Sequence, residues 1–180
     1  MENARKKFLD PRELKKLKEE LILPEFDIPQ TGRVAGIDFG TVRIGIAVCD
    51  TERILASPWE NYARKNPNLD AKFFRQLVTE ERVTLWVVGL PLYPSGDESE
   101  KSIQARQFGK WLWETTQTPV VFFDERYSSK FADELMKMAP LTQKQRKNRR
   151  DKLAAYVILS AWLESDHKKQ NKPADLSLED

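Results

Sequence analysis

The stretch Val34-Ala-Gly-Ile-Asp-Phe-Gly-Thr-Val-Arg-Ile-Gly-Ile-Ala-Val48 decides the fold, because it holds one carboxylate, Asp38, inside a nearly continuous apolar run. An ionised carboxylate is costly to bury unless a cation or a hydrogen-bond donor faces it. The pattern predicts a strand that ends near Asp38, a turn over residues 40–43 and an antiparallel strand over residues 44–48. We therefore expect Asp38 to face a cleft, although capping the hairpin turn is an alternative role for it.

Composition limits the class of protein. The chain has 180 residues, of which 40% are apolar, and this predicts one compact domain with an appendage. The 30 Lys and Arg residues nearly balance the 28 Asp and Glu residues, so overall charge makes no case for nucleic acid. The single cysteine, Cys49, predicts a buried structural thiol in a reducing compartment. No apolar segment is long enough to span a membrane and no signal peptide is evident, so we expect a cytoplasmic protein without a membrane partner.

Hydrophobic spacing and turn residues divide the rest of the chain into alternating strands and helices. The elements predicted after the hairpin are a strand over 53–57 that Pro58 ends or places near a sheet edge, a helix over 69–82 capped by Asn68, a strand over 84–88, a helix over 99–116 capped by Ser99, and a strand over 120–123. Strands separated by helices pair in parallel through right-handed crossovers. We predict an α/β fold whose mixed five-stranded sheet combines a three-strand antiparallel meander with two parallel strands and carries helices on both faces.

The ends of the chain are predicted to lie outside this sheet. Residues 1–32 combine an amphipathic helix with a linker that contains prolines, residues 33–166 form the folded domain, and residues 167–180 are a polar tail. Within the domain, Ser128 or Ser129 is expected to cap a helix that ends at Pro140.

The segment before the last helix is rich in basic residues. Residues 141–150 lack the apolar side chains of a packed element, so we expect a solvated loop there and a last helix that begins near Asp151. The side chains of that helix predicted to be buried are Leu153, Ala154, Val157, Ile158, Ala161 and Trp162.

Acidic residues fall at the ends of three separate elements. Asp38 ends the first strand, Asp124 and Glu125 end the last strand, and Asp151 opens the last helix. The carboxyl ends of parallel strands meet at one edge of a sheet, so these side chains are expected to converge. Converging carboxylates need a cation, and their oxygens suit Mg²⁺ or Mn²⁺, ions that can promote phosphodiester hydrolysis. We expect Asp38, Glu125 and Asp151 to be metal ligands and catalytic residues, with Asp124 as a fourth catalytic candidate.

Two of these acids also have a structural explanation. Asp151 can be only an N-cap, and Asp124 can simply pair with Arg126. The basic residues near Asp151 can neutralise phosphates, although a soluble loop needs the same composition. The predicted substrate-binding residues are Thr41, Arg43, Arg126, Ser128, Lys144, Arg146, Lys147, Arg149, Arg150 and Lys152.

Four motifs in the chain resemble those of one known family. They are Ile37-Asp-Phe-Gly-Thr41 with Ile44-Gly45, Val88-Gly-Leu-Pro-Leu92 with Gly96, Asp124-Glu-Arg126 with Ser128, and Asp151 with Ala154-Ala155. Over residues 34–163 their order is similar to that of the YqgF (RuvX) family. The resemblance implies a ribonuclease H-like fold, and it matches Asp38, the Asp124-Glu125 pair and Asp151 to the acidic positions of the family.

The resemblance also implies an activity. It predicts a nuclease, dependent on Mg²⁺ or Mn²⁺, that processes the 5′ end of pre-16S rRNA in ribosome biogenesis, with precursor RNA and ribosomal particles as partners. Proteins of this family were earlier named Holliday junction resolvases, so branched, four-way DNA is the alternative substrate.

The chain departs from the family pattern at three positions. Tyr93 and Ser95 stand where the family usually has Asn and Asp, and Lys152 stands where it usually has a small residue after Asp151. A cation at Lys152 can bind phosphate or replace a metal charge, so a non-catalytic nucleic-acid binder stays open. The Asp-Phe-Gly-Thr turn also resembles the phosphate-binding hairpin of the actin and sugar-kinase fold, which needs a second half that we do not expect in 180 residues.

Overall fold

A computed structural model of the chain describes residues 16–17, 19–127 and 143–165, without the side chains of residues 127 and 143–152. The elements are β1 (Arg33–Phe39), β2 (Arg43–Cys49), β3 (Ala56–Ala63), α1 (Pro67–Glu81), β4 (Val83–Leu90), α2 (Glu100–Thr116), β5 (Val120–Asp124), a 3₁₀ helix (Glu125–Tyr127) and α3 (Gln143–Glu164). Residues 16–17 and 19–20 are also helical, whereas the rest of the predicted N-terminal helix and the predicted helix before Pro140 lie outside the described residues.

The five strands form one mixed sheet in the order β3-β2-β1-β4-β5. Strand β1 is antiparallel to β2, and Asp38 is paired with Gly45. Strands β1, β4 and β5 are parallel, so their carboxyl ends share one edge of the sheet. The predicted α/β architecture, in which a three-strand antiparallel meander is combined with two parallel strands, is confirmed by this order and these directions.

Alternate residues of the strands face opposite sides, and each side is covered by helices. On one face, Ala35, Trp86 and Val88 pack with side chains of α1 and α2. On the other face, Val34 and Val87 pack with α3. Because both faces are buried, β4 is apolar along nearly its whole length, as its sequence predicted.

Helix α3 lies very close to the sheet where β1 has Gly36. A Cβ atom built on Gly36 would be 2.7 Å from the Cβ of Leu159 and 2.9 Å from the carbonyl oxygen of Ala155. Ala155 also faces Gly45, the partner of Asp38, so the N-terminal half of α3 extends toward the carboxyl end of β1. Helix α3 therefore approaches the sheet closely at Ala155.

Two predicted boundaries near β3 are wrong. The third strand was expected over residues 53–57, but Asp50 accepts hydrogen bonds from the amides of Ile54 (2.7 Å) and Leu55 (3.1 Å), which holds that segment in a turn. Strand β3 continues through Pro58, a residue that an edge strand tolerates because its outer amides need no partner. The cap of α1 is Asn66 rather than Asn68, and its side chain accepts from the amide of Leu69 at 3.0 Å.

The predicted solvated loop over residues 141–150 is also wrong in part. Helix α3 begins at Gln143 rather than near Asp151, since a run of Gln, Lys, Arg and Asn without Gly or Pro can propagate a helix without an apolar stripe. The predicted core of α3 is correct for Val157, Ile158 and Trp162. Three residues that were predicted to be buried are only half-buried, namely Leu153, Ala154 and Ala161. Four buried residues of α3 were not predicted, namely Ala155, Leu159, Ser160 and Leu163.

Gly36→Ala should destabilise the domain more than Gly45→Ala. The new methyl at Gly36 would overlap α3, whereas a Cβ at Gly45 would meet no atom closer than 3.4 Å. We expect Gly36→Ala to lower the free energy of unfolding by about 1–3 kcal/mol, the usual cost of overpacking. Urea unfolding of the two variants measures this difference. Both substitutions make the unfolded chain less flexible and gain the same stability from it, so that effect cancels in the comparison. Equal free energies of unfolding would contradict the close packing of α3.

Candidate active site

The carboxyl ends of β1, β4 and β5 bring Asp38 and Glu125 to the same edge of the sheet. Asp38 is the penultimate residue of β1, and Glu125 directly follows β5, with β4 between the two strands. A Cβ built on Gly89 of β4 would lie 2.5 Å from Oε1 of Glu125. The missing side chain at Gly89 therefore leaves the space in which Glu125 reaches across β4 toward β1.

Glu125 titrates far from its usual range. Burial raises the pKa of its carboxyl from 4.5 to about 7, the like charges of Asp38 and Asp124 raise the pKa further, and the cation of Lys101 opposes them. This electrostatic coupling shows that Asp38 and Asp124 lie near Glu125. Without a bound cation, Glu125 is therefore partly protonated at neutral pH.

Asp38 lies between β2 and α3. A Cβ built on Gly45 would be 3.4 Å from the Cβ of Asp38 and 3.5 Å from that of Ala155. The side chain of Asp38 is half-buried, so it lies at the rim of the core rather than on a free loop. Small residues on both neighbours thus provide the space beside this carboxylate.

Asp151 belongs to α3, one helical turn before Ala155. The direction of α3 places the backbone of Asp151 toward the edge of the sheet that holds Asp38. Its side chain lies outside the described residues, so its role as a third metal ligand stays a prediction. Among the described side chains, no group of three His, Cys, Asp or Glu residues is arranged to hold a metal ion.

The residues present at this edge fit a divalent cation. Glu125 has a carboxylate that burial and like charge hold partly protonated, and a cation between Glu125 and Asp38 would remove both penalties. Carboxylate oxygens are the ligands that Mg²⁺ and Mn²⁺ prefer. The donor set therefore suits the ions that the sequence predicted.

Asp124 and Arg126 form a clamp between β5 and the loop over residues 91–99. The Arg126 guanidinium donates to Asp124 Oδ2 from Nε at 2.9 Å and from Nη2 at 2.6 Å, and the Arg126 amide donates to Oδ1 at 2.9 Å. Nη1 of Arg126 donates to the carbonyl of Pro94 at 3.1 Å and lies beside Gly96. The structural alternative for these two residues, an ion pair, is therefore present.

The same loop is closed by its own polar residues. Ser95 donates to Asp97 at 2.7 Å, and the amide of Gly96 donates to the carbonyl of Tyr93 at 2.8 Å. Gly96 has a φ of +93°, a conformation that favours glycine. Tyr93 and Ser95, two of the departures from the family pattern, are thus compatible with a defined loop beside Arg126.

The structure describes the side chains of only some of the other predicted substrate-binding residues. Thr41 and Arg43 are exposed in and after the hairpin turn, close in sequence to Asp38. The predicted residues whose side chains lie outside the described part of the chain are Ser128, Lys144, Arg146, Lys147, Arg149, Arg150 and Lys152.

Sequence reasoning missed two charged residues at this edge. Lys101, in the first turn of α2, is exposed and lowers the pKa of Glu125. A lysine is unfavourable at the positive, N-terminal end of a helix dipole, so its position in the sequence could have identified it as a candidate functional residue. Asp70 is 2% exposed in the first turn of α1 and accepts hydrogen bonds from Tyr62 and from the Lys65 amide. Asp70 follows a helix cap in the sequence, a position where acidic residues are common, so the sequence did not mark it as a functional residue.

Comparison with known proteins identifies the family of this chain. The family model described as RuvX, Holliday junction resolvase, matches residues 32–165. The chain belongs to the RuvX family. A relative from Rhodopirellula baltica, named "Putative pre-16S rRNA nuclease", is 42% identical over 164 residues, which is 87% of this chain and 95% of that protein. A relative of the same name from Zymomonas mobilis is 38% identical over 150 residues, which is 83% of this chain and 91% of that protein.

The resemblance to the RuvX family inferred from the four motifs is thereby confirmed, and with it membership of a nuclease family. Among solved structures, RuvC of T. thermophilus with a Holliday junction substrate covers 73% of this chain and 94% of its own, with a TM-score of 0.47 and 16% identity. That similarity is too low to add to the assignment. None of the helices within the described residues of this RuvX chain is long and apolar enough to cross a membrane.

Glu125→Gln should stabilise the metal-free protein at high pH. Unfolded Glu125 loses its proton near pH 4.5 and folded Glu125 near pH 7, so the folded state binds the extra proton between these values. Its contribution to stability is complete below pH 4.5 and is lost as the pH rises to about 7, a loss of at most about 3 kcal/mol. Glutamine cannot ionise and avoids this loss.

The measurement is urea unfolding in EDTA between pH 4.5 and pH 8. Glu114→Gln, at an exposed position near the end of α2, is the matched control and should follow the wild type. If Glu125→Gln and the wild type lose stability in parallel as the pH rises, the raised pKa of Glu125 is wrong.

Arg126→Ala should loosen the loop over residues 91–99 without unfolding the domain. The substitution removes the donors that join Asp124 to the carbonyl of Pro94. We expect faster hydrogen exchange at the Gly96 amide, while exchange in β4 stays unchanged. Arg75→Ala, which removes one exposed hydrogen bond to Thr115, is the control. Unchanged exchange at Gly96 would show that Arg126 does not hold the loop.

Proposed function

We propose that this RuvX protein is a metal-dependent endonuclease that cleaves structured RNA and processes the 5′ end of pre-16S rRNA. The observation that carries the proposal is the half-buried Glu125 carboxylate, which lies over Gly89 and whose pKa is raised by burial and by the charge of Asp38. A strongly raised pKa produced by burial and a specific charged neighbour is typical of functional carboxylates. The names of the curated relatives support pre-16S rRNA as the substrate.

Asp38 and Glu125 would hold the divalent ion, with Asp151 as the further ligand that the sequence predicts. When bound, such an ion would supply a positive charge that activates a water molecule and stabilises the leaving oxygen of the phosphodiester. Ion binding requires Glu125 to give up its proton, because the ligand is the ionised carboxylate. The Asp124–Arg126 clamp fixes the loop beside Glu125, and Gly89 and Gly45 provide the space for the two carboxylates.

A second candidate substrate is a four-way DNA junction. The family model that matches residues 32–165 is described as a Holliday junction resolvase. The chemistry at the carboxylates would be the same, since both substrates are phosphodiesters. The two candidates differ only in the nucleic acid that the surrounding surface accepts.

Asp38→Asn should abolish cleavage and keep the fold. Asparagine preserves the size of the side chain but removes the charge that a divalent ion requires, so we expect a loss of at least about 100-fold in cleavage rate. The assay compares a 5′-extended 16S precursor transcript with a four-way DNA junction, both with Mg²⁺, and thermal melting checks the fold. Glu114→Gln, remote from the site, should retain the wild-type rate.

Each outcome of that assay has a definite meaning. Cleavage of the precursor but not of the junction, lost in Asp38→Asn, supports the proposed function. Cleavage of the junction alone favours the second candidate. Full cleavage by folded Asp38→Asn would overturn the active-site assignment, and binding without cleavage by the wild type would favour a non-catalytic role.

A further inference from the structure

A basic surface adjoins the active edge on the side opposite β5. Strand β3 ends at Ala63, which is paired with Arg43, and the chain then continues through Arg64 and Lys65 to the cap of α1. No acidic residue occurs between Glu60 and Asp70 in the sequence. We call the side chains of Arg64 and Lys65, which follow β3 and precede α1, the β3–α1 corner.

Buried hydrogen bonds fix the backbone of this corner. Asp70 accepts from the Tyr62 hydroxyl at 2.7 Å and from the Lys65 amide at 2.9 Å. The amide of Arg64 donates to the carbonyl of Val42 in the hairpin turn at 3.0 Å. Burial and the bond to Asp70 raise the pKa of Tyr62 to about 12, so its hydroxyl remains a donor at all physiological pH values. The charge of Asp70 is thus directed inward, while the Lys65 side chain is exposed.

The corner lies at the same edge of the sheet as Asp38, because β1 and β3 are both antiparallel to β2 and therefore run in the same direction. The Arg64 guanidinium carbon lies 5.5 Å from the centroid of the Phe39 ring. Phe39 packs on the side of the sheet that α1 and α2 cover, whereas Asp38 lies on the side that α3 covers. Arg64 also contacts Asp70 through Nε at 3.4 Å, and its side chain keeps 34% of its surface exposed. A partly exposed guanidinium held over an aromatic ring retains donors that suit a phosphate oxygen.

The corner and Arg126 lie at opposite ends of the strand order. The corner lies at the end of β3, beyond β2, whereas Glu125 and Arg126 follow β5 at the other side of the sheet. The N-terminus of α1, the positive end of its helix dipole, begins at the same corner. The active edge therefore has cationic groups on both sides of Asp38.

We propose that Arg64 and Lys65 bind backbone phosphates of the substrate strand beside the scissile bond. The inference rests on the proposed nuclease function and adds a binding surface on the β3 side of the site. The ligand is the phosphodiester backbone itself, so the contribution does not depend on base sequence. Arg64 and Lys65 act as positioning residues that hold the strand along the edge of the sheet at which Asp38 lies.

The test measures binding of a 5′-extended 16S precursor fragment in EDTA over a series of KCl concentrations. Lys65→Glu is the cleaner variant because the structure uses the backbone amide of Lys65 rather than its ammonium group. We expect about tenfold weaker binding at 0.15 M KCl and a decrease of about 1 in the magnitude of the salt slope. Arg75→Glu makes the same charge change on an exposed part of α1 and should leave both quantities at the wild-type values.

Cleavage kinetics with Mg²⁺ provide a second readout. Loss of a contact to a phosphate that does not itself react should raise KM for Lys65→Glu and change kcat little. Arg64→Lys should retain more affinity than Arg64→Ala, because it keeps the charge. Equal loss of affinity in both Arg64 variants would overturn the phosphate contact at Arg64.

The outcomes separate this inference from the proposed function. If the wild type binds the RNA but does not cleave it, and Lys65→Glu weakens binding, the corner is supported and the nuclease proposal fails. If the wild type cleaves and Lys65→Glu matches it in affinity, salt slope and KM, the corner is overturned and the nuclease proposal stands. A wild type that binds neither this RNA nor a DNA junction would overturn both.

Discussion

The carboxylates of Asp38 and Glu125 repel each other at one edge of the sheet, and the rest of the site is arranged around that repulsion. Parallel pairing of β1, β4 and β5 forces the two acids to the same edge. Gly89 lets Glu125 reach across β4. Burial and like charge then hold its pKa near 7. Two like charges this close are unfavourable at neutral pH unless a cation binds between them, and this is the physical basis of the proposed chemistry.

Much of the arrangement around Asp38 could be predicted, because it follows from local patterns with strong physical causes. A lone carboxylate in an apolar hairpin, and strands that alternate with helices, determine the sheet order and the edge at which strand ends meet. The sequence alone could not show that Glu125 lies over Gly89. A glycine after a buried strand is often only a turn residue, so its presence did not indicate a contact. That contact depends on the register between β4 and β5, which only the assembled sheet defines.

The remaining errors arose where interactions other than hydrophobic spacing determined the structure. The Asp50 carboxylate holds residues 54 and 55 in a turn, so β3 begins later than its apolar residues suggested. Helix α3 extends back to Gln143 through residues that have helix propensity but no apolar stripe. Asp70 is buried by bonds to Tyr62 and the Lys65 amide, partners that a linear pattern does not reveal.

We propose that the edge holding Asp38 and Glu125 is a divalent-cation site. The most direct measurement is a crystal structure of the protein soaked with Mn²⁺ at pH 8, where Glu125 is ionised, with anomalous scattering used to locate the ion. We predict an anomalous peak between the two carboxylates at about 2.0–2.3 Å from an oxygen of each. No peak there, or a Mn²⁺ ion bound elsewhere while Asp38 and Glu125 lack it, would contradict the claim.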